Sequence, residues 1–243
     1  MLFEHIYRQS KYQSNTGGSS SFLIPAYKPT YLIYEYFVYF IVVDCLISLD
    51  FTFPYNLDLK DQLKSSIYQD GLVDGTKIIM ENEERGLFVE INYNEELENN
   101  SRLAIEKSKH FFSTKFRKKP DIKVDLYEFK DDQLYFRSSF IFEVKYRPLH
   151  NIYQDKGSTS TMEQMDDYRS IRYVDKNGNI VHAPVSEVVC VYPGDDHKET
   201  LFNTDYGYFL KLFPDEHEES DAIIGSDEMK KLLNAWINKH CPI

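Results

Sequence analysis

The pair Pro120-Asp121 and, further along, the triplet Glu143-Val144-Lys145 inside the apolar run Phe140 to Tyr146 combine residue types that could hydrolyse a phosphodiester. Carboxylate oxygens are hard ligands that suit Mg²⁺, and a lysine beside them can orient a water and offset developing negative charge. The triplet alone carries little information, because Asp58-Leu59-Lys60, Asp121-Ile122-Lys123, Glu128-Phe129-Lys130, Asp196-His197-Lys198 and Glu228-Met229-Lys230 have the same form. Context singles out Glu143. Side chains alternate along a strand, so Glu143 and Lys145 share one face while Phe142, Val144 and Tyr146 share the other. Two charged residues on one side of an apolar strand need partners or a function. The plainer alternative is an ion pair on a solvated sheet face.

Asp121 opens the preceding strand, directly after a proline. With a turn near Asp131, antiparallel pairing brings the start of that strand beside the end of the next, so Asp121 can neighbour Glu143 and Lys145. Asp125 lies on the same face and is the second candidate ligand. Glu35 sits in the run Tyr31 to Tyr39, where an unpaired charge is costly and its pKa is pushed up. Its partner is a cation, a tyrosine hydroxyl or a basic side chain. Gln164 and Tyr168 stand one turn apart on a helix that follows the Glu143 strand. Lys107, Lys109, Lys115, Arg117, Lys118 and Lys119 form a basic run leading into Pro120-Asp121. That placement suits phosphate-backbone contact, with a solvated loop as the alternative.

The elements that must position these residues are legible as periodic runs. At 243 residues and 42% hydrophobic content the chain can bury one substantial core, so one main domain is expected over 30–243. Residues 1–29, with the polar stretch Asn15 to Ser21, read as a short helix and linker. A long aromatic and β-branched helix is expected over Tyr31 to Leu49 and an amphipathic one over Asp58 to Gln69. Thr76–Met80 and Leu87–Tyr93 form a hairpin, and Asp121–Phe129 and Leu134–Tyr146 form two further strands. A helix from about Ser160 to Tyr173, with Ser160 and Glu163 spaced as a capping box, follows. Strands over Glu187–Tyr192 and Tyr206–Phe213, the solvated acidic run Asp215 to Asp221, and a helix over Asp227–Trp236 complete an α/β mixed sheet with helices on both sides.

The apolar run Tyr31 to Leu49 is long enough to raise the question of a membrane span. Glu35 and Asp44 lie nine positions apart, which at ~100° per residue puts them on opposite helix faces, so a buried core helix is expected and no membrane. Met1 to Ser21 is polar and Gly/Ser-rich, unlike a signal peptide. Cys45, Cys190 and Cys241 form no CxxC pair and their odd number argues against a disulfide framework, which fits a reducing cytoplasm. The histidines form no HxxxH or HExxH, which argues against zinc. A net charge of −11 opposes autonomous tight binding to nucleic acid, so a local basic patch or a partner must supply docking.

In order, a glutamate in an N-terminal helix, Pro-Asp, Glu-x-Lys and a following Gln-x-x-x-Tyr resemble the PD-(D/E)XK nuclease superfamily, in its RecB and Cas4-like branch. More narrowly, Leu32-Ile33-Tyr34-Glu35, Lys119-Pro120-Asp121-Ile122, Phe142 to Arg147, Met165 to Arg169 and Val191-Tyr192-Pro193-Gly194 resemble the nuclease domain of McrC-like restriction proteins. The helix departs from that family's usual Met-His-x-Tyr-Arg-Asp in reading Met165-Asp166-Asp167-Tyr168-Arg169-Ser170. The resemblance implies a restriction-endonuclease-like αβββαβ core. It also implies a Mg²⁺-dependent DNA endonuclease of a restriction or phage-defence system, acting with an AAA+-type NTPase partner and compatible with homo-oligomers. Asp121, Glu143 and the Val144 carbonyl would hold Mg²⁺, or Mn²⁺ in its place, and Glu35 would reach it directly or through water. Lys145 would orient or help deprotonate the attacking water, while Gln164 and Tyr168 position the strand or brace Lys145. Lys115, Arg117, Lys118 and Lys119 are the candidates for DNA-backbone contact. The alternative is a nuclease-fold module that no longer cuts and serves in assembly or nucleic-acid binding; loss of Asp121, Glu143 or Lys145 would mark it, and all three are present.

Overall fold

The computed structural model describes residues 28–64, 71–115, 119–194, 198–215 and 222–242. Arg117, Lys118, the N-terminal linker up to residue 27, the far end of the helix expected over Asp58 to Gln69, and the acidic run after Asp215 lie outside the described residues. In chain order the elements begin with α1 (Thr30–Ile47), α2 (Leu59–Gln62), β1 (Lys77–Asn82), β2 (Leu87–Tyr93), α3 (Ser101–Glu106), β3 (Phe111–Phe112), β4 (Ile122–Lys130) and β5 (Gln133–Val144). They continue with α4 (Leu149–Ile152), α5 (Ser160–Tyr168), β6 (Arg172–Val174), β7 (Ile180–Val181), β8 (Val185–Tyr192), β9 (Leu201–Thr204), β10 (Gly207–Lys211), β11 (Phe213–Pro214), β12 (Ile223–Ile224) and α6 (Ser226–His240).

Helix α1 starts directly after Pro29, whose ring fixes φ at a value suited to a helix entry. Tyr34, Phe37, Val38, Ile41, Val42 and Cys45 recur at three- and four-residue intervals and are buried, so the helix docks one broad face on the sheet. It is long and apolar enough to span a bilayer, yet half of it is buried inside this domain's own core.

The main sheet has seven strands in the order β1-β2-β4-β5-β8-β10-β9. The hairpin from β1 to β2 turns through Glu83–Arg85, with the Asn82 side chain accepting the Arg85 N–H and Gly86 left-handed at φ 62°. The β4–β5 turn places Asp131 and Asp132 at φ 51° and 59°, a conformation that short acidic side chains tolerate. β2, β4 and β5 are antiparallel, whereas β8 runs parallel to β5 and β10 parallel to β8. A parallel neighbour requires a crossover, and α4 and α5 lie in the one between β5 and β8. Ile122, Val124, Phe140, Phe142, Val189 and Val191 share the sheet face that packs with residues of α1 and α6. Ile141, Val188, Cys190 and Phe209 share the other, with Met162, Met165 and Tyr168 of α5. The molecule is thus a mixed α/β domain whose central sheet is flanked by helices, as the element order suggests.

Three expectations need correction. Helix α5 ends at Tyr168 rather than Tyr173, because Arg172–Val174 leave the helix to pair with β3 as a strand. Its N-cap is Thr159, whose hydroxyl accepts the Met162 N–H, while Glu163 is held by Ser158 instead of Ser160. Strand β5 ends at Val144, so Lys145 and Tyr146 lie just beyond it, although the Lys145 N–H still reaches the Val191 carbonyl at 2.9 Å. The three cysteines are buried and free.

Candidate active site

The β4–β5 register pairs Ile122 with Phe142, which sets Asp121, one residue before β4, level with Glu143. The Val144 N–H donates to Asp121 Oδ2 at 2.7 Å, fixing that carboxylate at the mouth of the strand pair. On its far side, the Asn94 N–H donates to the Asp121 carbonyl at 2.9 Å. Glu143 is fully buried. Its Oε1 accepts the Lys145 ammonium and its Oε2 the Tyr168 hydroxyl, the latter at 2.6 Å. Tyr168 has one proton to give and also lies 3.5 Å from the Lys119 carbonyl, so the shorter, charge-assisted bond to Glu143 takes it. Gln164 then donates to the Tyr168 oxygen at 2.8 Å. The chain Gln164, Tyr168, Glu143, Lys145 therefore runs from α5 into the sheet, and Gln164 and Tyr168 brace Glu143 rather than touching Lys145.

Glu35 approaches from α1, and its Oε2 accepts the Tyr93 hydroxyl at 2.8 Å. Of the partners open to it in the sequence, the tyrosine is the one observed. Tyr93 closes β2 and is itself wedged between Tyr36 and Tyr39, with ring centroids 5.7 and 5.8 Å away. Among the described residues no three His, Cys, Asp or Glu side chains are gathered tightly enough to hold an ion between them. Glu35 is nonetheless close enough to act electrostatically on Asp121 and to feel Glu143.

The electrostatics are lopsided. Burial, then the Glu143 carboxylate, push Asp121 well above the usual carboxylate range, against the pull of Lys145 and the Val144 N–H. Burial also raises Glu35, with Glu143 adding to it and the Tyr93 hydrogen bond and Lys145 opposing. Burial alone would lower Lys145, but Glu143 and Asp121 hold it above its ordinary value. Among the described residues three carboxylates thus share Lys145, with Lys119 acting on Glu35 as well. A divalent cation beside Asp121 and Glu143 would relieve that excess, so the donor set fits Mg²⁺ or Mn²⁺.

No family model, curated protein or solved structure matches this chain.

The other sequence candidates are dispersed. Asp125 is engaged within the sheet: it is buried and accepts from Lys123, from Asn92 at 3.0 Å and from Ser139 at 2.6 Å. The lysines of the basic run that the structure describes are ion-paired. Lys107 and Lys109 both engage Glu98, Lys115 engages Asp167 on α5, and Lys119 reaches Asp74 at 2.5 Å. Lys119 does sit near the site, lining a groove of about 570 Å³ with Asp74, Asn92, Asn94 and Glu95. Sequence reasoning missed Tyr93, for which the sole signal was its place at the end of an alternating strand. It also missed Cys190, which the parallel register sets opposite Glu143.

Proposed function

We propose that this chain is a metal-dependent nuclease that hydrolyses phosphodiester bonds in DNA. The observation that carries the reading is the buried, under-neutralised pair Asp121 and Glu143, with Lys145 on one oxygen of Glu143 and Tyr168 on the other. The succession α1, β2, β4, β5, α5, β8, with β8 parallel to β5, supports a restriction-endonuclease-like αβββαβ core. Together with the ordered motifs, it supports placing the chain beside the nuclease domain of McrC-like restriction proteins, within the PD-(D/E)XK superfamily. A role in restriction or phage defence with an AAA+-type NTPase partner follows from that likeness. The net charge of −11 and the carboxylate-paired lysines suit a division of labour in which a partner brings the DNA.

Asp121, Glu143 and the Val144 carbonyl would hold the ion, and Glu35, held by Tyr93, would reach it directly or through water, as suits a cation that keeps several waters. Mg²⁺ or Mn²⁺ there would supply Lewis-acid charge to the phosphate. Lys145, kept protonated by Glu143 and Asp121, donates a hydrogen bond to the attacking water or a non-bridging oxygen, which stabilises charge in the transition state. Tyr168 and Gln164 hold Glu143 in one rotamer, so the carboxylate needs no reorganisation when substrate arrives.

Plasmid and single-stranded DNA incubated with Mg²⁺, Mn²⁺ or EDTA test this directly. Cutting is expected with either metal and not with EDTA, and Lys145→Ala should slow it by about 10²-fold or more. Metal-dependent cutting that Lys145→Ala leaves intact would remove the assignment.

A further inference from the structure

Tyr146 follows Lys145 in the chain and Tyr34 precedes Glu35, and these two neighbours of site residues meet ring to ring, with centroids 5.5 Å apart. Tyr34 is buried and anchored, its hydroxyl donating to the Leu212 carbonyl at 2.8 Å. Tyr146 is 48% exposed, and Tyr31, one helical turn before Glu35, is 55% exposed. Arg147, also exposed, is tied back by its N–H to the Lys145 carbonyl at 2.9 Å. Glu143, by contrast, is completely covered. The Tyr146 ring, next in the chain to Lys145, is thus backed by a buried, anchored partner and is half open to solvent.

We infer that Tyr146 is a stacking platform for an unpaired base next to the scissile phosphodiester, with Tyr31 as its outer neighbour. This rests on the nuclease reading and adds to it a positioning residue and a preference for single-stranded or locally unpaired substrate. Three physical reasons carry it. A ring already braced by Tyr34 loses little side-chain freedom when a base stacks on it. A base inside a duplex has both faces occupied by its neighbours, so an aromatic platform has something to hold only where the strand is unpaired. Stacking is also insensitive to net charge, and thus suits a chain of −11 in which Lys115 and Lys119 are already paired with Asp167 and Asp74.

The test is cleavage of a labelled single strand by the full chain in Mn²⁺, comparing wild type, Tyr146→Phe and Tyr146→Ala. The same proteins are run on strands in which a single abasic position is moved along the sequence. Tyr146→Ala is expected to lose about tenfold in kcat/KM, chiefly through KM, while Tyr146→Phe, which keeps the ring, stays near wild type. An abasic position beside the cut should cost wild type about the same tenfold and cost Tyr146→Ala nothing more. Wild type should also cut the single strand faster than the perfect duplex. If Tyr146→Ala does not fold, the abasic series on wild type decides alone. Metal-dependent cutting that neither Tyr146→Ala nor any abasic position affects, or that favours intact duplex, overturns the inference and leaves the nuclease reading standing. Absence of any metal-dependent cutting of DNA overturns the nuclease reading and this inference with it.

Discussion

Lys123 and Asp125 on β4, and Glu143 on β5 with Lys145 just past its end, each set a lysine two positions from a carboxylate, yet the two pairs sit in different surroundings. Lys123 and Asp125 are each 1% exposed, and every element around them closes in. Asn92 of β2 and Ser139 of β5 donate to Asp125, Glu95 lies 3.1 Å from Lys123, and the Phe111 ring sits 3.7 Å from the same ammonium. This inner cluster sets two carboxylates on one buried ammonium, and the strands on either side of Asp125 complete its hydrogen bonds. Among the described residues the outer cluster at Asp121, Glu143 and Glu35 is served by Lys145, which is one-fifth exposed, with Lys119 acting on Glu35 as well. The difference teaches that a charged pair in a strand is closed off when the strands on both sides complete it, whereas at the end of a strand one member, here Lys145, keeps access to solvent.

Removing a carboxylate should therefore have opposite consequences in the two places. Asp125→Ala leaves the buried Lys123 short of a counter-ion and is expected to cost about 3–5 kcal/mol, measured by urea unfolding. Asp121→Asn removes surplus negative charge and keeps an acceptor for the Val144 N–H. In EDTA at neutral pH it should raise the thermal midpoint by about 2–4 °C, the shift that roughly 1 kcal/mol produces in a chain of this size. Equal destabilisation by both would erase the distinction.

A smaller effect sharpens it through pH. Burial, opposed by Lys123, pushes Asp125 up to about 6 from an ordinary 3.8. A carboxylate whose folded pKa lies above its unfolded one binds its proton more tightly in the native state. Its contribution is then full below 3.8 and is lost as pH rises through about 6. Glu95, which burial would raise but Lys123 holds low, works in the opposite sense and is present in both proteins compared. The stability gap between wild type and Asp125→Ala is thus expected to narrow from pH 4 to pH 6, and a widening gap would contradict the placement of Asp125.

How much of this was legible in the sequence follows from how local each determinant is. The β4–β5 hairpin and its register follow from alternation around Asp131-Asp132, so the meeting of Asp121 with Glu143 and Lys145 could be read from one stretch of chain. Helix α1 was legible from its apolar density after Pro29. What depended on distant partners was not. Asp125 shares the expected face but is filled by Asn92 and Ser139 from the two neighbouring strands. The carboxylates that pair with Lys107, Lys115 and Lys119, namely Glu98, Asp167 and Asp74, could not be read from the basic run itself. The residues after Tyr168 leave the helix because β3, far upstream, offers them a strand to pair with.

The central claim, that the outer cluster is built around a divalent cation and the inner one is not, is tested most directly by calorimetric titration of Mn²⁺ into wild type, Asp121→Asn and Asp125→Asn near pH 7.5. Binding is expected in wild type, lost in Asp121→Asn and retained in folded Asp125→Asn. Mn²⁺ binding that survives Asp121→Asn unchanged, or no binding to wild type at all, would contradict it.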